Sequence, residues 1–170
     1  MKIKEKTMEE LGLFEAASKD LLDNMQGFKD NLSVQFPLLD SDNWQYDKGS
    51  IKVCMADESG FKKRCRVGIS YNLKVSLLNE DAEQIRLLFK DWFNTSRLGQ
   101  VERNPNNEDL GRYVFSASSP LGDQVDCSIY LPNEWNIPQI SFSGYLTARY
   151  RACDLDKSKN KMEIFRDEKD

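Results

Sequence analysis

Residues 65–75 read Cys65-Arg66-Val67-Gly68-Ile69-Ser70-Tyr71-Asn72-Leu73-Lys74-Val75. Apolar and polar side chains alternate along the whole run. Successive side chains of an extended chain point to opposite faces, so this stretch predicts a strand with one face buried and one wet. Upstream, Ile51, Val53 and Met55 alternate with Lys52 and Cys54, and the polar stretch Asp57-Glu58-Ser59-Gly60 separates the two runs. The pattern predicts a β-hairpin turning at Ser59-Gly60.

Outward from the hairpin the period changes. On the N-terminal side Leu11, Phe14, Ala17, Leu21, Met25, Phe28 and Leu32 recur at steps of three and four, with Lys19, Asp20, Asp23 and Lys29 between them. One apolar stripe and one charged face predict a helix over residues 8–32. Thr7-Met8-Glu9-Glu10 has the form of a capping box at its start. Gly12 and Gly27 each weaken it by about 1 kcal/mol relative to alanine. Pro37 ends this region, and residues 37–43 read as a connector.

On the C-terminal side Asn79 reads as an N-cap, with Glu80 and Asp81 in the positive first turn. Ala82, Ile85, Leu88, Phe89, Trp92 and Phe93 form an apolar face, and Gly99 reads as the stop. Residues 104–109 are a polar loop. Three more alternating runs follow: Tyr113, Phe115 and Ala117; then Val125, Cys127, Ile129 and Leu131; then Ile140 and Phe142, continuing to Cys153. Residues 119–123 form a turn by composition. The element order is α-β-β-α-β-β-β. This is an α+β fold: a mainly antiparallel sheet of about five strands with two helices on one face. A single domain spans residues 7–153, and residues 154–170 are a charged C-terminal tail.

The chain has 170 residues, 39% of them hydrophobic, which is enough to build a core, and a net charge of -4. A mildly acidic balance argues against general nucleic-acid binding. No stretch reaches the ~18–20 apolar residues of a membrane span. Lysines at Lys2, Lys4 and Lys6 are not followed by the apolar run of an export signal. Two readings stay open: a cytoplasmic chain, or an extracytoplasmic domain whose signal has been removed.

The composition contains no histidine. That removes Ser-His-Asp and Cys-His arrangements and most catalytic zinc sites. Phosphate-cradling glycine loops are absent from the sequence as well. Asp40-Ser41-Asp42 offers too few oxygens for calcium, which takes about six or more. The sequence therefore predicts a protein without catalytic residues, metal or cofactor, acting by binding a protein partner. Paired carboxylates of the glycosidase kind remain the enzymatic alternative.

Two groups are candidates for binding. Lys62, Lys63, Arg64 and Arg66 form the one dense basic run, which Arg149 and Arg151 extend toward an anionic partner; alternatively they guard a strand edge. Trp135 sits in a loop bracketed by Pro132 and Pro138. It reads either as an interface anchor or as a lid over the core.

The cysteines are Cys54, Cys65, Cys127 and Cys153, all candidates for disulfides. Cys54 and Cys65 flank the hairpin turn and can face each other if a bulge intervenes. Cys127 can remain a buried thiol or join Cys65, and a Cys54–Cys153 bond would tie the last strand to the first.

The layout resembles the exported domain of LppA-like bacterial lipoproteins. The likeness covers residues 7–153 and rests on the helix after Thr7-Met8-Glu9-Glu10, Trp44 before the first strand, Ile51-Lys52-Val53-Cys54, the helix near Trp92 and the strand closing at Cys153. The resemblance implies an extracytoplasmic, cell-envelope domain that meets the membrane only through a lipid anchor outside this chain. It implies no catalytic residues. A toxin-neutralising immunity protein, whose acidic face masks a basic partner, shares the size and charge and is the alternative.

Overall fold

The computed structural model describes residues 12–56 and 62–151. In chain order these form α1 (Phe14–Gln35), a 3-10 turn (Pro37–Leu39), β1 (Gln45–Ala56), β2 (Lys62–Leu73), α2 (Asn79–Asn94), β3 (Gln100–Asn104), a second 3-10 turn (Glu108–Leu110), β4 (Arg112–Ser118), β5 (Gln124–Tyr130) and β6 (Gln139–Tyr150). All strands pair antiparallel in one sheet of order β1-β2-β6-β5-β4-β3. The long last strand thus enters between the first hairpin and the β3–β4–β5 meander.

Both helices lie on one face of this sheet. Phe14, Ala17, Leu21, Met25, Phe28 and Leu32 of α1 are buried, as are Ala82, Ile85, Phe89 and Phe93 of α2. They meet alternate strand residues such as Ile69, Phe115, Cys127, Ile140 and Phe142. Phe28 is the junction, with its ring centroid 5.4 Å from both Phe89 and Phe142. Rings at such separations interlock the helix pair with the middle of the sheet.

The α+β class and the two helices on one face are as the sequence predicts, with six strands among the described residues in place of five. The additional strand is β3. Gln100-Val101-Glu102-Arg103-Asn104 contains a single apolar residue and lies at the sheet edge, mostly exposed. A strand with neither face buried carries no alternation to read.

Several boundaries also differ. Within the described residues α1 begins at Phe14, because Leu13 is extended and makes a parallel bridge to Tyr150. Its far end reaches Gln35, three residues beyond expectation. The capping box at residues 7–10, the Ser59-Gly60 turn, Cys153 and the 154–170 tail lie outside the described residues.

Gly27 is more than a weak point in α1. A Cβ there would stand 2.6 Å from the indole of Trp92, so glycine is what lets α2 approach. At the start of α2 the backbone N–H of Leu78 donates to Asp81 Oδ2 at 2.9 Å, and Asn79 accepts the Tyr113 hydroxyl instead of capping. The helix ends at Asn94, well before Gly99.

Candidate functional site

Residues 131–138 link β5 to β6, and two asparagines shape them. Asn133 Oδ1 accepts from the backbone N–H groups of Trp135 at 2.8 Å and Asn136 at 2.9 Å. This is the local turn that a short amide side chain favours. Asn133 Nδ2 donates outward to the Leu110 carbonyl at 2.8 Å. Asn136 is buried and acts as a hub. Its Nδ2 donates to the carbonyls of Leu110 at 3.0 Å and Leu131 at 3.3 Å, while its Oδ1 accepts from Arg112 Nε at 2.9 Å. Leu131 N closes the clip on Gly111 O at 2.8 Å.

The loop is therefore fastened to the 108–110 turn, and that turn is fastened to β3. Arg103 Nε donates to Glu108 Oε2 at 2.6 Å, and Arg103 also pairs with Glu83 at 2.8 Å. The Glu108 carboxyl is held below its usual range, chiefly by the Arg103 hydrogen bond. Trp135 remains 69% exposed on this scaffold, Ile137 67% and Leu110 43%. Trp135 is not a lid over the core. It stands outside with its loop backbone already fixed.

The basic run lies at the other end of β6. Twelve residues separate the two ends, or roughly 40 Å of extended chain. Arg64 is buried and directly opposite Arg149 in the ladder. Arg66 is engaged internally, Nη1 donating to Ser18 Oγ at 2.8 Å and Nε to Lys48 O at 3.0 Å. The Lys63 ammonium sits 5.0 Å from the centre of the Tyr150 ring. The Lys62 side chain lies outside the described set. Arg64 and Arg66 are thus part of how the hairpin packs.

Cys54 and Cys65 form a disulfide with Cα atoms 5.9 Å apart. The required bulge is present, as a register shift between Val53 and Met55. This pairing overturns the alternatives that joined Cys65 to Cys127 or Cys54 to Cys153. Cys127 is a free, buried thiol, and its proton affinity is pushed well up by burial and then by Asp126.

No local sequence pattern marks the site around Asp123. Its side chain is fully buried in the β4–β5 turn. Oδ1 accepts from Thr147 N at 2.9 Å, Thr147 Oγ1 at 2.8 Å and Arg149 Nη1 at 2.7 Å. Oδ2 accepts from Arg149 Nη2 at 2.6 Å and Arg97 Nη1 at 2.5 Å. Arg97 reaches on to Asp20 of α1 at 2.9 Å. Burial alone would raise the Asp123 pKa. The Arg149, Thr147 and Arg97 hydrogen bonds outweigh it and hold the carboxyl at about 2. Both oxygens are occupied, so this carboxylate is a cross-link between elements and not a proton acceptor. Arg149, grouped by sequence with the basic run, belongs to this interior cross-link.

No family model, no curated protein and no solved structure matches this chain. Among the described residues no group of three or more cysteine or carboxylate side chains is placed to hold a metal ion, and no helix is long and apolar enough to cross a membrane.

Proposed function

We propose that the chain is a non-catalytic binding domain that docks a protein partner through Trp135 and Ile137. The observation that carries this is a large, exposed aromatic on a loop whose backbone is fixed by Asn133 and Asn136. Tryptophan supplies much contact area with few rotatable bonds, and a fixed loop loses little entropy on docking. Exposed Glu134 and Asp109 adjoin Trp135 and Leu110 in the chain, which suits a partner whose apolar pocket has a cationic rim.

The Cys54–Cys65 bond is compatible with an oxidising compartment. An extracytoplasmic location, as the soluble part of a lipid-anchored bacterial protein, belongs to the same proposal.

A photo-crosslinking side chain at Ile137, in the native host, tests it. The expected result is a discrete protein adduct that is absent when the probe sits at Leu87, exposed on α2, and that Trp135→Ala suppresses. Equal adducts from both positions, or none from Ile137, would overturn the reading.

A further inference from the structure

The sheet face turned away from α1 and α2 carries a different set of side chains. Reading across the strands, Asp47, Ser70, Ser143, Asp126 and Ser116 stand directly opposite one another in the ladder. In the next row Tyr145 stands opposite Gln124. Near the centre of this face is a shallow hollow of about 400 Å³, bounded by Gly68, Gln124, Asp126, Ser143, Gly144 and Tyr145.

One edge of the hollow is a glycine. Gly68 has φ +77°, a conformation most side chains avoid, and a Cβ there would meet nothing nearer than the Gly49 Cα at 3.7 Å. Around this opening the walls are polar and paired. Gln124 Nε2 donates to Asp126 Oδ1 at 2.7 Å, which fixes the amide beside the carboxylate. Tyr145, 41% exposed, supplies an aromatic wall.

This chemistry excludes several ligand classes. None of the bounding residues is cationic and Asp126 is anionic, so a phosphate or sulfate would be repelled. One bounding carboxylate falls short of the roughly six oxygens that calcium takes. An apolar ligand would strip water from Asp126 and Gln124 without replacing their hydrogen bonds. A neutral ring with C–H groups on one face and hydroxyls at its rim satisfies both the tyrosine and the polar pair.

We infer that this hollow binds a neutral, hydroxyl-rich ligand, a pyranose unit of a glycan. The site is separate from the Trp135 loop and does not depend on the function proposed for it.

The test is a titration of the isotope-labelled full chain with maltotriose, cellotriose and triacetylchitotriose, all neutral, followed by amide shifts. At least one of these trisaccharides should give saturable shifts at Gln124, Asp126, Ser143 and Tyr145. Tyr145→Ala should weaken that binding about fivefold, the scale of one aromatic contact, and Trp135→Ala should leave it unchanged. If Tyr145→Ala fails to fold, Ser143→Tyr, which fills the hollow from an exposed position, should abolish the shifts. Absence of shifts with every trisaccharide, undiminished binding in the folded variant, or tighter binding of a sulfated trisaccharide would overturn the inference.

Discussion

At one end of β5 the 119–123 turn buries a carboxylate among arginines; at the other, the 131–138 loop holds a tryptophan in water. Each loop is organised by one short polar side chain that reaches several elements. Asp123 gathers Arg97, Thr147 and Arg149, and through Arg97 it reaches α1. Asn136 gathers Leu110, Leu131 and Arg112. The first hub ties helix, strand and turn into the interior. The second keeps apolar side chains out of it. The usual rule of apolar inside and charged outside is inverted at both ends, and for different reasons. A charge that is fully paired can stay buried, whereas an exposed apolar tip has no structural benefit to offset its contact with water.

Removing the Asp123 carboxylate should have the largest effect. Asp123→Ala leaves the buried Arg149 and the largely buried Arg97 without their shared counter-charge. Breaking a buried ion cluster from one side costs about 3–5 kcal/mol, read as a shift in the urea midpoint. A loss below about 1 kcal/mol, within the range of exposed ion pairs, would mean that the two loops do not differ in kind.

Acid sharpens the same contrast. Folding lowers the Asp123 pKa from 3.8 to about 2. A carboxyl depressed on folding stabilises fully above its unfolded value, and that contribution disappears as pH falls through the folded one. The shift corresponds to about 2 kcal/mol, lost between roughly pH 4 and pH 2. Stability measured across that window should fall more steeply in the wild type than in Asp123→Asn. Parallel profiles would show that the carboxyl does not carry this acid sensitivity.

The second hub should matter less for the fold. Asn136→Ala leaves the carbonyls of Leu110 and Leu131 and the Arg112 Nε without these bonds. The loop is at the surface and water can replace part of them, so a loss of about 1–2 kcal/mol is expected in chemical unfolding. Raised amide exchange should be confined to residues 108–112 and 131–138. Exchange that spreads through β4 and β5 would make Asn136 a core element like Asp123.

The two hubs were not equally legible in the amino-acid order. Alternation at residues 65–75 and 125–131, and the stripes of α1 and α2, are local patterns, so the sheet and the helices on one face could be read. β3 could not, because an exposed edge leaves no pattern. The prolines around Trp135 marked its loop as stiff, and Asn133 and Asn136 lie within a few residues of it. Asp123, by contrast, takes its partners from Arg97, Thr147 and Arg149. Nothing near Asp123 in sequence distinguishes it from any aspartate in a turn. Arg64 and Arg149 misled for the same reason. Their neighbours in sequence are basic, while their environment is set by strand pairing.

The smallest expected effect on stability bears most directly on function. Trp135 is 69% exposed, and the clip is closed by the side chains of Asn133 and Asn136 and by backbone groups. Trp135→Ala should therefore change unfolding free energy by no more than about 0.5 kcal/mol, as for surface residues away from structural features. The same substitution should remove the crosslinked adduct from Ile137. A residue that stabilises nothing yet decides capture can only be acting on a partner. If Trp135→Ala instead destabilises the fold by more than about 2 kcal/mol, in the range of a buried side chain, the ring packs against its own protein in solution. The 131–138 loop would then resemble the Asp123 turn, an element of architecture and not a docking surface.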